Sequence, residues 1–120
     1  LTFRALASEL HPQPSGARAR DHFIDPTAFD AWAERWRARL ALEPEHDGER
    51  AQALRATNPK YIARNHRVEE AIKAAEQGDF TPFETLVKVL EQPFADQPEM
   101  ERYAQPPADE ERVLQTFCGT

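Results

Sequence analysis

The stretch that decides the fold is NPKYIARNHRVEEAIKAAEQGDFTPFETLVKVL, residues 58–90. Its first half predicts a helix, because Asn58 is a good N-cap and Pro59 suits the first helical position, where its missing N–H is no loss. Gly78 favours the left-handed conformation in which many helices end. We therefore expect one amphipathic helix from residue 58 to residue 78. Its predicted buried face consists of Tyr61, Val68, Ile72 and Ala75.

The second half of the stretch predicts another helix. Thr81 and Glu84 have the spacing of a capping box around Pro82, so we expect this helix to begin at Thr81. Its predicted buried face consists of Phe83, Leu86, Val87 and Leu90. The connecting turn, GDFT, is short. Because short turns join neighbouring helices, we expect the two helices to pack as an antiparallel pair.

Asn65 is the polar residue on the expected apolar face of the first of these helices. An unpaired buried amide costs about 1–3 kcal/mol, so its side chain needs a partner. One interpretation is a buried amide that ties the helix to a neighbouring backbone. The other is that Arg64 and Asn65 contact another domain of a larger parent protein. The residues alone leave both interpretations open.

Upstream, residues 23–44 predict a helix that begins after Asp25 and ends before Pro44. Its apolar stripe consists of Phe29, Trp32, Ala33, Trp36 and Leu40, and we expect both tryptophans to lie in the core. The interleaved basic residues are Arg35, Arg37 and Arg39. Arginines interleaved with aromatic residues could indicate a nucleic-acid site, but the apolar stripe already explains why the aromatic residues are there. We therefore interpret these arginines as a charged outer face.

Three further segments complete the N-terminal part. Residues 1–10 predict a short amphipathic helix, and residues 48–55 predict another with a thin apolar face. Residues 11–22 contain two prolines and a glycine and predict a mobile connection. We expect an all-α fold, in which residues 1–93 form a small bundle of about four to five helices within a single domain.

The C-terminal residues 94–120 are rich in proline and predict a mostly irregular tail packed on the bundle. Short helical turns are expected at residues 98–103 and 108–113. The apolar residues expected to hold the tail are Phe94, Tyr103, Val113 and Leu114. The last residues, with the single cysteine Cys118, are expected to be loose.

Charge and composition argue against two classes of partner, nucleic acids and membranes. The formal net charge is −6, which repels phosphate backbones, so we expect no nucleic-acid partner. No apolar stretch approaches the roughly 20 residues that span a bilayer, so we expect no membrane partner. One cysteine cannot form an internal disulfide, which favours a reducing compartment. The chain begins with Leu1 and its only methionine is Met100, so we expect a C-terminal piece of a longer protein.

The residues by themselves predict little chemistry. The four histidines, at positions 11, 22, 46 and 66, are scattered, so we expect no metal site. Neighbouring acidic residues such as Glu69 and Glu70 diverge on a helix, which indicates solvated faces, and we expect no catalytic residue. Cys118 has no cation beside it in QTFCGT to activate its thiolate. The residues leave open an incidental free thiol and a redox or crosslinking role.

Several stretches together resemble the C-terminal region of the selenoprotein O family of protein adenylyltransferases. They are TFRALASEL near the start, NPKYIARNHRVEEAIKAAEQGDF in the middle and FCGT at the end. FDAWAERWRARL and QPFADQPEMERYAQPP fit the same pattern, so the resemblance covers nearly the whole chain.

The resemblance implies a two-part protein. In that family an N-terminal, protein-kinase-like domain binds ATP and magnesium and transfers AMP, not phosphate, to hydroxyl side chains of other proteins. A helical region follows, and the third residue from the end is cysteine or selenocysteine, the position of Cys118 here. The resemblance further implies that this thiol can pair with one in the catalytic domain. A bacterial-type member is expected in the cytoplasm, and a eukaryotic one in mitochondria.

No stretch matches the family's glycine-rich loop, nucleotide-binding lysine or metal-binding carboxylates, so we expect no cofactor in this chain and no AMP transfer by it alone. Its expected partners are the kinase-like domain of the same chain and, for the whole enzyme, protein substrates. The alternative is an independent helical module that binds another protein and has no enzymatic role.

Overall fold

The computed structural model describes residues 2–12 and 18–114, and within these ranges it contains five α-helices and no β-strand. The α-helices are α1 (Thr2–Leu10), α2 (Pro26–Leu40), α3 (Asp47–Thr57), α4 (Asn65–Glu76) and α5 (Thr81–Leu90). Short 3-10 helices span Ala19–His22, Pro98–Tyr103 and Asp109–Glu111. The predicted all-α class is confirmed. No helix within the described ranges is long and apolar enough to cross a membrane.

The chain divides into two compact units, Leu1–Pro59 and Lys60–Thr120. In the first unit α1 packs against α3. Its core consists of Ala5, Leu6, Ala19, Phe29 and Ala33, with Trp36 and Leu54 packed against it. Arg4 ties α1 to the end of α3, because its Nη1 donates to the backbone oxygens of Arg55 and Asn58 at 2.7 and 3.0 Å. A cation at this position also suits the negative end of the helix dipole.

The segment before α2 is folded where the structure describes it. Ala19 is fully buried, and the side chain of Arg20 holds Asp30 of α2 with two hydrogen bonds of 2.9 and 3.0 Å. Residues Ala19–His22, in the segment predicted as a mobile connection, form a short 3-10 helix. Residues 13–17, the middle of that predicted connection, lie outside the described residues.

Helix α2 begins as predicted, with Asp25 accepting a hydrogen bond from the backbone N–H of Thr27 and proline at the first position. The predicted core position is wrong for Trp32, which is 38% exposed. Trp36 is only partly buried, against the core. The buried residues of the helix are Phe29 and Ala33, which lie one turn apart, so the stripe is narrower than its sequence suggests. Arg37 and Arg39 pair with Glu9 and Glu43, as expected of a charged outer face.

In the second unit, α4 packs against α5. The core consists of Tyr61, Leu86, Val89, Tyr103 and Ala104, with Val68, Leu90 and Met100 packed against it. The predicted start of α4 at residue 58 is wrong, because the helix begins at Asn65 and residues 60–64 are not helical. The predicted stop is confirmed: α4 ends at Glu76, and Gly78 has a positive φ of 85°.

Helix α5 begins at Thr81, but the predicted capping box is wrong. The side chain of Asp79 accepts a hydrogen bond from the Thr81 N–H at 3.0 Å, so the aspartate two residues earlier supplies the cap. The buried residues of α5 are Leu86 and Val89. Phe83 and Val87, which were expected in the core, are 53% and 42% exposed. Ile72 of α4, also expected in the core, is 49% exposed.

The proline-rich segment after α5 forms the first predicted helical turn, Pro98–Tyr103, and part of the second, Asp109–Glu111. Tyr103 is buried as expected, whereas Leu114 is 95% exposed and does not hold the segment. Cys118, which was expected on a loose chain end, lies outside the described residues.

Candidate functional site

The candidate site of the second unit is centred on residues 60–64, which we call the strap. The strap is not helical, and the backbone of its first two residues bonds to the segment after α5. The N–H groups of Lys60 and Tyr61 both donate to the carbonyl oxygen of Pro93, at 2.8 and 3.2 Å. These bonds use donors that a helix start would have left unpaired.

Tyr61 is the centre of this arrangement and is only 1% exposed. Its hydroxyl donates to the carbonyl oxygen of Gln97 at 2.9 Å and accepts from the Gln97 N–H at 3.2 Å. The side-chain amide of Gln97 in turn donates to the carbonyl oxygens of Val89 and Gln92, at 3.1 and 3.0 Å. One glutamine thus links the end of α5 and the turn after it to the buried tyrosine.

Lys60 adds an ionic link to the same segment. Its Nζ lies 3.3 Å from a carboxylate oxygen of Asp96 and 2.8 Å from one of Glu101, and 5.6 Å from the centre of the Tyr61 ring. Partial burial alone would lower the pKa of Lys60, but the hydrogen bonds that its ammonium donates to Glu101 and Asp96 outweigh burial and raise the pKa. The lysine is therefore held as a cation.

A second set of ion pairs joins α4 to the proline-rich segment. Arg102 donates to both carboxylate oxygens of Glu70, at 2.7 and 2.9 Å. Arg67 lies 2.9 Å from Glu70 and 3.3 Å from Glu111. Burial would raise the pKa of Glu70, but hydrogen bonds from Arg102 and Arg67 lower it below its ordinary value. These pairs fix residues 98–111 to α4.

The two residues predicted to contact another domain lie at the start of α4. Arg64 is the N-cap and is half-buried, and Asn65 is the first helical residue and is exposed. The interpretation of Asn65 as a buried amide is therefore wrong. The Nε of Arg64 is buried and has no hydrogen-bond partner among the described residues. No ion pair is formed by its guanidinium within that part of the chain.

His66 is the buried polar residue that the sequence did not indicate. It is 7% exposed, and its Nε2 has no hydrogen-bond partner in the described part of the chain. Burial lowers the pKa of His66, and the charge of Arg67 lowers it further. The sequence did not indicate the burial of His66, because a helix that starts at residue 58 would place Asn65, not His66, on the buried face.

The chemistry of this site is that of ion pairs and hydrogen bonds. The four carboxylates that surround it, Glu70, Asp96, Glu101 and Glu111, each lie within 3.4 Å of a lysine or arginine nitrogen. Nowhere in residues 2–12 and 18–114 do three or more His, Cys, Asp or Glu residues form a group that could hold a metal ion. The arrangement therefore fixes the strap and residues 93–111. Arg64, which is half-buried, has no counter-charge within the described residues.

Comparison with known proteins identifies the chain. The family model described as protein adenylyltransferase SelO matches residues 3–91, about three-quarters of the chain. Over the whole chain, 54% identity is found to a protein nucleotidyltransferase YdiU of Bradyrhizobium diazoefficiens. Proteins of the same description from Rhodopseudomonas palustris and Nitrobacter winogradskyi are 53% and 51% identical. The chain spans about a quarter of the length of each of these relatives (24%, 25% and 24%). It therefore belongs to the SelO family of protein adenylyltransferases.

Proposed function

We propose that this chain is a non-catalytic, C-terminal helical region of a protein adenylyltransferase. In the parent protein a kinase-like domain, a pseudokinase, uses ATP and Mg²⁺ to transfer AMP to hydroxyl groups of protein substrates (AMPylation). The observation that carries the proposal is the family match over most of a chain that spans only a quarter of its relatives. As in a bacterial-type member, we place the parent protein in the cytoplasm.

The described residues do not fit ATP and Mg²⁺, and we derive no step of AMP transfer from them. Mg²⁺ is bound in such sites by carboxylates and phosphate oxygens. The carboxylates of the site, such as Glu70 and Asp96, are instead engaged by arginine and lysine side chains. Nucleotide and metal binding are therefore assigned to the kinase-like domain, and structural support to this chain.

Arg64 and Asn65 are proposed to contact the kinase-like domain. Arg64 supports this assignment because its side chain is half-buried and its guanidinium forms no ion pair within the described residues, so it is a cation that can bind an acceptor on another domain. Asn65 next to it is exposed and presents an amide that can donate and accept. A carboxylate or backbone carbonyl of the catalytic domain would satisfy both side chains.

Cys118 is proposed as a redox-active thiol whose partner is a cysteine of the kinase-like domain. The ion pair between Arg67 and Glu111 anchors the tail seven residues before it. Seven residues span at most about 25 Å, which sets the distance over which the thiol can find its partner. Oxidation of the full-length protein with diamide should shift its mobility on a non-reducing gel, and Cys118→Ser should abolish the shift. A shift that survives the substitution would contradict this assignment.

The proposed function is tested with a chimera in which this chain replaces the matching quarter of the Bradyrhizobium relative. The chimera should transfer a tagged AMP from ATP carrying the tag on its α-phosphate, with a rate within a few-fold of the relative's own. The control is the relative with that quarter deleted, which should be impaired. A chimera no more active than the deletion would contradict the proposal.

The exposed apolar side chains favour one alternative, an independent helical module that binds another protein. Ile24, Phe80 and Phe83 are each more than half exposed. If this alternative is correct, the Bradyrhizobium relative without the matching quarter should retain full activity, because the helical region would not be needed for AMP transfer.

A further inference from the structure

An aromatic row runs along the first unit. The row consists of Phe23, Phe29, Trp32 and Trp36. The ring centroids of consecutive members lie 5.1, 5.6 and 5.3 Å apart, so each ring contacts the next. Phe29 is buried, whereas Phe23 and Trp32 are 43% and 38% exposed. Ile24, next to Phe23 in the chain, is fully exposed.

The composition of the row is that of a binding surface. Tryptophan and other aromatic residues dominate the energetic centres of protein interfaces, because they bury a large area with few rotatable bonds. Single exposed apolar residues need no explanation, but Phe23 and Trp32 are both exposed and both contact the buried ring of Phe29, so they form one apolar patch. The row is therefore expected to be covered by another part of a protein.

The exposed area of the row indicates what kind of partner covers it. Aromatic side chains present about 150–250 Å² each, so the exposed parts of Phe23, Trp32 and Ile24 amount to roughly 300–400 Å². Stable complexes between separate proteins bury about 800 Å² on each partner. The row is thus too small to hold a free partner or a second copy. A covalently linked partner suffices with less area, because linkage gives a local concentration on the order of millimolar.

We propose that the aromatic row is the face of the first unit that packs against the kinase-like part of the parent protein. The proposal rests on the proposed function and adds to it a specific contact surface. The kinase-like part is the expected partner because about three-quarters of the relatives' length lies outside the region that this chain matches. The matching surface on that partner is expected to be apolar.

The test compares thiol accessibility at two exposed positions in a Cys118→Ser background. Ile24→Cys places an exposed thiol next to Phe23 in the chain, and the matched control Leu42→Cys places one in the turn after α2, where Leu42 is 79% exposed. Neither substitution removes a buried side chain. Each variant is prepared as the isolated chain and within the chimera, and alkylation of the peptide that contains the new thiol is followed by mass spectrometry.

Both thiols should react fast in the isolated chain. In the chimera, alkylation at position 24 should slow at least tenfold, while alkylation at position 42 should change less than twofold. Equal rates at position 24 in the two proteins would overturn the inference. If that chimera still transfers AMP, the proposed function stands while the inference falls; if it is inactive as well, both fall.

A second copy as the covering partner is tested with the isolated chain. Alkylation at position 24 that slows as the concentration of the chain rises would show self-association through the row and overturn the inference. Alkylation that is already slow at low concentration would show that the chain itself covers the row, with the same consequence.

Discussion

Tyr61→Phe tests whether the strap is held by the buried hydroxyl of Tyr61. The substitution keeps the ring in the core and removes one donor and one acceptor, which bond Gln97 at 2.9 and 3.2 Å. A hydrogen bond contributes about 0.5–1.5 kcal/mol net, and an unsatisfied buried group costs about 1–3 kcal/mol. Gln97 is only half-buried, so water can replace part of the loss. We expect the free energy of unfolding to fall by about 1–2 kcal/mol.

The matched control is Tyr103→Phe, because Tyr103 belongs to the same core cluster and is 8% exposed. Within the described residues no side-chain hydrogen bond is formed by its hydroxyl, so this substitution should cost less than about 0.5 kcal/mol. Urea unfolding followed by circular dichroism measures both variants. The amide of Gln97 should also exchange with solvent at least tenfold faster in Tyr61→Phe. Equal stability losses in the two variants, or unchanged exchange at Gln97, would refute the role given to the hydroxyl.

Two further predictions concern backbone conformation and pH. Gly78→Ala should cost about 1 kcal/mol in urea unfolding, because φ is 85° there while no atom would obstruct the new methyl group. Gly48→Ala, inside α3 and equally unobstructed, should be neutral or stabilising by up to about 1 kcal/mol, and a similar loss at both sites would contradict this reasoning. The pKa of His66 is lowered below its ordinary 6.5, so the unfolded chain takes up a proton that the folded chain resists. The free energy of unfolding should therefore decrease as the pH falls through about 6.5. Between about pH 7.5 and 5.5, the urea midpoint of His66→Gln should change less than that of the unsubstituted chain. An equal pH dependence in the two proteins would exclude His66 as the cause.

Elements whose limits are set by local chemistry were predictable from the sequence. The cap at Asp25, the stop at Gly78 and the turn from Pro98 to Tyr103 depend on residues a few positions apart, and all three are present. The helical class follows from the spacing of apolar residues in the same way. Local signals were therefore sufficient for the fold class.

The start of α4 was not predictable, because the local signal is overruled from a distance. Asn58 and Pro59 favour a helix start, yet Tyr61 bonds Gln97, which lies 36 residues further along the chain. Moving the start to Asn65 also changes which residue faces the core, so that His66 replaces Asn65 there. The candidate site was missed for the same reason: its links, such as Arg102 to Glu70, join residues far apart in sequence.

The faces of α5 show a different limit. Leu86 and Val89 are buried, whereas Phe83 and Val87 are exposed. The helix is apolar over a wide arc, and the apolar pattern alone does not say which part of that arc faces the core of this unit. Only the packing of Tyr61 and Tyr103 selects it.

The most direct test of the central claim is incubation of this chain alone with ATP tagged on the α-phosphate, Mg²⁺ and a protein acceptor. We predict no labelling of either the chain or the acceptor, with labelling in a parallel reaction that contains the chimera. Labelling by the chain alone would contradict the claim that it supports a catalytic domain without carrying the chemistry itself.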